Sequence, residues 1–351
     1  MGYVGCGFMA QKVHIPNMVA LDECELLALA EVRPVLGERV RARYGVPKLY
    51  SDHRALAENE DIRAVAVSGH FSGQGEIAID LLEAGKDVLM EKPMAVSVEQ
   101  AERIVAAEQG SGRRLMVAYM KRYDAGNEMF KRLLDGFRES GELGSITFVR
   151  NHGFGGDWLG GLDTPFEKTD EAYPECETAW PSWLLEGHRK GYIGYLQQYT
   201  HNVNLIRWFL GAGEGDVTVK SVDFGEDGVS GVVVLDVAGV RTTIESGCVP
   251  YHGWDEHTQV YLEKGWMKTC APPLLLRNTP ATVEVYRGDG DDKSLAESFP
   301  AARTTWSYKE EMRHFARCVL SGEEFRSPAA DTLEDVKALE EIYRLFTRAA
   351  S

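Results

Sequence analysis

The sequence predicts two domains of different class: an α/β domain on a parallel sheet, then an α+β domain on a mostly antiparallel open sheet. Three observations predict them. Short apolar runs alternate with helical stretches as far as residue 121, and a glycine-rich turn opens the chain. Beyond that point, strand-like runs follow one another without helices between them. A chain of 351 residues can hold two cores of ordinary size. The expected domains are 1–121 and 122–351.

The elements follow in order. A strand at 2–4 leads into Gly5-Cys6-Gly7-Phe8-Met9-Ala10, and a helical stretch covers 11–19. The runs 25–30, 64–67, 87–90 and 114–118 are apolar strands, separated by helices at 33–44, 76–83 and 98–107. Short apolar strands alternating with helices of about 10 to 15 residues indicate βαβ units and a parallel sheet. After a helix around 127–134 and a strand at 145–149, the Gly/Trp/acid-rich stretch 153–191 shows little periodicity. A helix at 192–210 precedes strands at 217–219, 231–237, 241–245, 258–262 and 283–286, and helices at 307–320 and 332–348 finish the chain. Strands joined in this way make an antiparallel sheet, covered by helices on one face.

Composition narrows the function classes. The 38 Lys+Arg against 54 Asp+Glu give a formal charge of −16. That excess of acid opposes phosphate backbones and anionic lipid, so neither nucleic acid nor membrane is an expected partner. No apolar run is long enough to span a bilayer, and the start lacks a basic-then-apolar signal pattern, which predicts a cytoplasmic protein. The six cysteines show no CxxC or CxxH spacing. They read as buried thiols in a reducing compartment, and no metal site is expected. Gly288-Asp289-Gly290-Asp291-Asp292 lacks the spacing of a calcium loop and reads as an acidic turn.

Gly5-x-Gly7-x-x-Ala10, between a strand and a helix, is a dinucleotide-binding turn. Its glycines let backbone approach a pyrophosphate, and the helix N-terminus supplies amide donors. Phe8, Met9 and Ala10 belong to that turn. Glu31, ending the second strand, would accept from the adenosine ribose, and Arg33 could attract a 2′-phosphate. The expected cofactor is therefore NAD, with NADP possible. The bland alternative is a tight turn that holds nothing.

Glu91-Lys92-Pro93 ends the strand at 87–90, on the edge where ligands of open α/β sheets bind. Proline restricts the residue before it, so Lys92 is held in one direction. The bland alternative is a surface lysine before a proline stop. On the helix at 192–210, Gln197, His201 and Asn204 are spaced i, i+4, i+7 and share a face. A histidine between two amides can orient a hydroxyl or exchange its proton, whereas the bland reading is a solvated face. Arg122-Tyr123-Asp124 either lines the same cleft or forms a linking salt bridge. Asp170, Glu171, Glu175, Glu177 and Glu186 lie in a long loop with Tyr173, Trp180 and Trp183. Such loops are functional or disordered, and the tryptophans favour function.

Together these motifs resemble the glucose-fructose oxidoreductase / inositol dehydrogenase / rhizopine catabolism (Gfo/Idh/MocA) family over nearly the whole chain. The residues that carry the resemblance are Gly5-x-Gly7-x-x-Ala10, His14-x-Pro16, Glu91-Lys92-Pro93, Arg122-Tyr123-Asp124, the helix with His201, and the run from Ala338 to Tyr343. The resemblance implies an N-terminal Rossmann domain, a C-terminal α+β domain whose sheet mediates a homodimer or homotetramer, and a tightly held NAD or NADP. It also implies oxidation or reduction of a sugar or cyclitol carbon. Ser68, His70, Gln74, Glu91 and Lys92 join the cofactor contacts, and Lys92, Arg122, Tyr123, Trp183, Gln197, Tyr199 and His201 the substrate contacts.

Two departures stand out. The family's helix motif Asp-x-Gly-x-His-x-x-Asp is matched here by Gln197, Tyr199, His201 and Asn204, so its titrating aspartate is missing. Proton transfer then falls to His201, Lys92 or Tyr199. The family's Thr-Pro-x-x-x-His reads Gly69-His70-Phe71-Ser72-Gly73-Gln74. The expected activity is hydride transfer at a secondary hydroxyl of a sugar, aminocyclitol or aminoglycoside-like molecule. The acidic loop points either to a cationic substrate or to a solvated acidic loop whose tryptophans pack into the domain core. An NAD-dependent glycosidase and a non-catalytic dinucleotide-dependent regulator are the alternatives.

Overall fold

A computed structural model describes residues 1–159, 166–249, 253–288, 296–299 and 306–349. The expected acidic turn at 289–292 lies outside them. Two compact units emerge, one of residues 1–119, 163–183 and 308–336, the other of residues 120–162, 184–307 and 337–351.

The first unit is built on a six-stranded parallel sheet. Its strands are β1 (Gly2–Val4), β2 (Ala28–Ala30), β3 (Lys48–Tyr50), β4 (Ala64–Val67), β5 (Asp87–Glu91) and β6 (Leu115–Ala118), in the order β3-β2-β1-β4-β5-β6. Helices α1 (Ile15–Val19), α2 (Pro34–Tyr44), α3 (His53–Ala57), α4 (Gln74–Glu83) and α5 (Val98–Ser111) connect them. The four residues of β4 and the five of β5 are all buried, as expected for strands covered on both faces. Strand order reverses between β1 and β4, so the carboxyl edge there is a topological switch point. The glycine turn follows β1, and Lys92 follows β5 on that same edge. The expected helix at 11–19 opens as a π-helical turn, Ala10–His14, a form common at functional sites.

The second unit carries α6 (Ala125–Ser140), β7 (Ile146–Gly155), α7 (Arg189–Leu210) and strands β8 (Val217–Phe224), β9 (Gly231–Val237), β10 (Val240–Cys248), β11 (Asp255–Leu262), β12 (Gly265–Ala271), β13 (Thr282–Arg287) and β14 (Ala296–Phe299). Among the described residues they form one eight-stranded sheet, β14-β13-β12-β11-β7-β10-β9-β8. Every pair is antiparallel except β7 with β10. The parallel pair follows from β7 lying in the middle of the order, reached across the long excursion through α7. Burial alternates: Val233, Leu235 and Val237 of β9 and Thr258, Val260 and Leu262 of β11 face inward. Helices α6 and α7 pack on the sheet.

Helices α8 (Ser307–Ser321) and α9 (Ala329–Ala349) end the described chain. A single cut at 121/122 would assign residues 308–336 to the later domain, yet they pack with the first unit. The reason is the free edge of β6. Val117 donates its N–H to the Ser327 carbonyl at 2.9 Å, and Ser327 Oγ donates back to the Val117 carbonyl at 2.6 Å. Arg114 donates to the carbonyls of Glu323 and Cys318 at 2.8 and 3.0 Å. The returning segment satisfies an edge that would otherwise be unpaired. No helix among the described residues is long and apolar enough to cross a membrane.

Candidate active site

The glycine turn is shaped by close approach. Gly5 has φ +92°, and a Cβ there would lie 2.6 Å from the Ser68 carbonyl oxygen, so only glycine fits. Gly7 by contrast has nothing within 4 Å of such a Cβ, which leaves open space beside the turn. The Cys6 N–H donates to Glu31 Oε2 at 2.6 Å. Glu31 also accepts from the Arg33 N–H at 3.1 Å and from Arg33 Nε at 2.8 Å. Glycine turn, acid and arginine thus form one cluster at the ends of β1 and β2. The open space and the acid at the end of β2 fit a dinucleotide.

On the same edge, Lys92 sits between two fixed neighbours. Gln74, only 2 % exposed, donates through Nε2 to the carbonyls of Glu91 and Pro93 at 3.0 and 2.7 Å. Glu91 Oε1 lies 2.7 Å from His14 Nε2, and its Oε2 accepts from the Lys92 N–H at 3.1 Å. The Lys92–Pro93 peptide is cis. Burial lowers the Lys92 ammonium from its ordinary value, opposed in part by the Glu91 charge. Burial would raise the Glu91 carboxyl, but His14 and the Lys92 charge bring it below the ordinary carboxylate range. His14 and Glu91 therefore support the lysine from behind. Gln74, expected among the cofactor contacts, commits its Nε2 to the carbonyls on either side of Lys92, while its buried Oε1 has no hydrogen-bond partner among the described residues.

The other expected contacts of this unit are placed as follows. Ser68 Oγ accepts from the buried Tyr3 hydroxyl at 2.6 Å. His70 Nδ1 lies 2.8 Å from Ser72 Oγ, and burial lowers its imidazole. Part of the aperiodic stretch, residues 166–183, is held to this unit. Gln11 Oε1 accepts from the Glu167 N–H at 2.7 Å, and Thr178 Oγ1 donates to Ser72 Oγ at 2.8 Å. Glu171 takes the first free amides of α2, Val35 and Leu36, both at 2.9 Å. Tyr173 lies under the Arg33 guanidinium at 5.2 Å. Trp183 ends this segment, partly buried.

In the second unit, His201 is 6 % exposed and lines a pocket. The other lining residues that matter are Lys121, Gln198, Asn202, Trp254 and Glu256. Two glycines of β7 make room: a Cβ on Gly153 would meet Asn202 Nδ2 at 2.8 Å, and one on Gly155 would meet Gln198 Nε2 at 2.6 Å. The pocket face of α7 is thus Gln198, His201, Asn202, spaced i, i+3, i+4.

This corrects the expected face of Gln197, His201 and Asn204 by one residue. Gln197 is exposed, and Asn204, 1 % exposed, accepts from Arg122 Nε at 2.7 Å. Arg122 and Tyr123 are themselves buried, so Arg122 ties the turn at 120–123 to α7. Tyr199 is also excluded as a proton carrier. Its hydroxyl donates to the Gly153 carbonyl at 2.8 Å and accepts from the Gly247 N–H at 2.7 Å, while burial raises its pKa well above the ordinary range. The residues that sequence reasoning missed are Lys121 and Glu256, an ion pair with side chains 8 % and 6 % exposed, and Trp254. The available signal was the alternation of β11, which places Glu256 on the same face as Thr258, Val260 and Leu262. No group of three or more His, Cys, Asp or Glu among the described residues could hold a metal ion.

Comparison with known proteins adds independent findings. Residues 1–119 match the family model described as an oxidoreductase family with an NAD-binding Rossmann fold, GFO_IDH_MocA. An inositol 2-dehydrogenase from Burkholderia lata is 26% identical over 294 residues, covering 78% of this chain and 75% of the relative. A 3-ketoreductase from Actinomadura kijaniata, solved with NADP and TDP-benzene, superposes with a TM-score of 0.74 at 21% identity, covering 98% of this chain and 96% of that one. An aldose-aldose oxidoreductase from Caulobacter crescentus, solved with glycerol, gives 0.73 at 20% identity, covering 99% and 98%. These two likenesses are of fold.

Proposed function

We propose, on the premise that the chain belongs to the Gfo/Idh/MocA oxidoreductase family, that it transfers a hydride at one secondary hydroxyl of a sugar, cyclitol or aminocyclitol ring. The class, an NAD(P)-dependent sugar or cyclitol oxidoreductase, comes with the family. The substrate within that class and the residues' roles are the proposal. The observation that carries it is Lys92, braced by Gln74 and backed by Glu91 and His14 at the carboxyl edge beside the glycine turn.

Gly5, Gly7, Phe8, Met9, Ala10, Glu31 and Arg33 would hold the dinucleotide, with Ser68 and His70 nearby on the sheet edge. When bound, the nicotinamide supplies the hydride acceptor, or the donor in reverse. Lys92 donates a hydrogen bond to the reacting oxygen and stabilises its developing alkoxide character, the electrostatic contribution that matters most in such steps. Its pKa, lowered by burial, brings proton exchange closer to the working pH. His201 takes up the alcohol proton in oxidation and returns it in reduction.

NAD is the proposed cofactor over NADP, because Glu31 already accepts from Cys6 and would repel a 2′-phosphate. Asp170, Glu175 and Glu177 stay exposed on their segment and favour a cationic ring, an aminocyclitol or aminoglycoside-like molecule, through long-range attraction. The uncovered face of the second sheet, where Arg150 and His152 both reach Glu245 at 2.7 and 2.6 Å, is the proposed homodimer or homotetramer surface. With all six cysteines free, the cytoplasm is the proposed compartment. The test is NADH formation with a panel of inositols, aldoses and their amino analogues. No formation with any member would overturn the reading.

A further inference from the structure

Strand β11 sends four alternate residues inward: Glu256, Thr258, Val260 and Leu262. Three of them suit a sheet interior, and the fourth is a carboxylate 7 % exposed. One of its oxygens takes the Lys121 ammonium. The other, Oε2, is enclosed and has no hydrogen-bond partner among the described residues, and neither does the enclosed Trp254 Nε1–H two residues before it. Both side chains line the His201 pocket. Buried polar atoms are satisfied almost without exception, so an acceptor and a donor left together in one pocket call for a ligand that meets both.

The neighbours say what kind. Lys121 balances the Glu256 charge, so a neutral donor is enough to satisfy Oε2. Asn202 Nδ2 is held by Asn151 Oδ1 at 2.7 Å, and Asn151 Nδ2 by Thr258 Oγ1 at 2.8 Å, which fixes the amide that borders the pocket. Leu274 and the Trp254 indole supply apolar surface. An acceptor, a donor, amides and an indole around an imidazole are the chemistry of a polyhydroxylated ring. Its hydroxyls donate and accept at neighbouring carbons, and its C–H face covers an aromatic.

We propose that Glu256 is a substrate-contacting residue whose Oε2 accepts a hydrogen bond from a ring hydroxyl, or from the ammonium that replaces it in an amino analogue. Trp254 Nε1 donates to an adjacent ring oxygen. The role rests on His201 acting on the substrate's hydroxyl, as proposed above. It also places a carboxylate in the His201 pocket, where Gln197 supplies none. Lys121 is a positioning residue, holding the other carboxylate oxygen.

The test is calorimetric titration of the NAD-loaded protein with myo-inositol, D-glucose and D-glucosamine, wild type against Glu256→Gln. The amide keeps the shape but gives up the charge and one acceptor. The expected result is at least tenfold weaker binding of the best probe, an unchanged Kd for NAD, and a loss in kcat/KM carried mainly by KM. A neutral probe binding best identifies the hydroxyl, and D-glucosamine binding best identifies the ammonium. If Glu256→Gln melts below wild type, the charge-balanced pair Lys121→Gln with Glu256→Gln gives the reading instead. Every probe binding within twofold of wild type overturns the proposal, as does a wild type that binds none of the three. Weakened binding without NADH formation in the wild type would uphold Glu256 and refute the redox reading. Normal NADH formation in both proteins would do the reverse.

Discussion

Replacing Glu31 by serine tests cofactor choice where the structure allows a magnitude to be worked. The Glu31 side chain is 1 % exposed and takes four donors, one from Cys6 and three from the backbone and guanidinium of Arg33. A carboxylate about 6 Å from one phosphate charge, at an effective dielectric near 20, is repelled by about 3 kcal/mol. Arg33 lies on both carboxylate oxygens and cancels part of this, leaving roughly 1.5–2 kcal/mol, or about 10–30-fold in Kd. Serine removes the repulsion and frees Arg33 for the 2′-phosphate. Glu31→Ser is therefore expected to shift the NADP/NAD affinity ratio towards NADP by at least tenfold. The same change strands the Cys6 N–H and the arginine, so the empty protein should lose about 2–3 kcal/mol of stability, since charged hydrogen bonds contribute about 1.5–3 kcal/mol each and Arg33 is partly solvated. Calorimetric titration with each dinucleotide reads the first effect, and thermal unfolding reads the second. An affinity ratio unchanged within twofold, or a wild type that already prefers NADP, would refute the reasoning. The double change with Arg33→Ala should return the ratio towards wild type, because the attractive charge goes too.

Four further outcomes are expected. Lys92→Ala should bind NAD normally in calorimetry yet lose on the order of 10²–10³ in kcat, the usual effect of removing one oxyanion-type donor; near wild-type kcat would remove Lys92 from the chemistry. In the wild type, activity should fall on the alkaline side below the ordinary lysine value of 10.5, because burial lowers the Lys92 pKa and the donor is lost as pH rises through it; that limb should vanish in Lys92→Ala. His201→Ala should remove the acidic limb of the same pH–rate profile, and a limb that survives unchanged would assign the titrating group elsewhere. Glu311, 0 % exposed and with neither carboxylate oxygen partnered among the described residues, is held well above the usual carboxylate range by burial and then by the Glu91 charge. Its folded pKa exceeds its unfolded one, so the stability it contributes is present below about pH 4.5 and lost as pH rises. Glu311→Gln should accordingly raise Tm at pH 7–8 by about 1–2 °C, for a gain near 1 kcal/mol, with the gain shrinking towards pH 4.5.

The first sheet was legible because its signal is local. Ala64–Val67 and Val88–Met90 are continuous apolar runs, and Gly5-x-Gly7-x-x-Ala10 sits directly between a strand and a helix, although the contact that demands Gly5 comes from the Ser68 carbonyl at the end of β4. Strand β3 was not legible. Lys48–Tyr50 carries a lysine and only partial burial, and it exists because β2 offers an edge. The return of 308–336 to the first unit was equally hidden, since it depends on hydrogen bonds between Val117 and Ser327 across 210 residues.

The second unit shows how a site is missed while its central residue is found. His201 was picked from helical spacing, and the same spacing allows two polar faces, one through Gln197 and one through Gln198. What decides between them is not on the helix. Gly153 and Gly155, two apart on β7, remove the side chains that would fill the space in front of Asn202 and Gln198. Tyr199, whose hydroxyl reaches the backbone of both Gly153 and Gly247, fixes the rotation of α7 against the sheet. A strand reading of 145–149 stops short of both glycines, because Asn151, His152 and the glycines themselves break the apolar pattern. The same polarity is why β11 read as beginning at Thr258 and not at Asp255. Polar side chains on a sheet's inner face disguise the strand that carries them. Extending each such strand by its parity, until the first buried charge is met, is what would have delivered Glu256 from sequence.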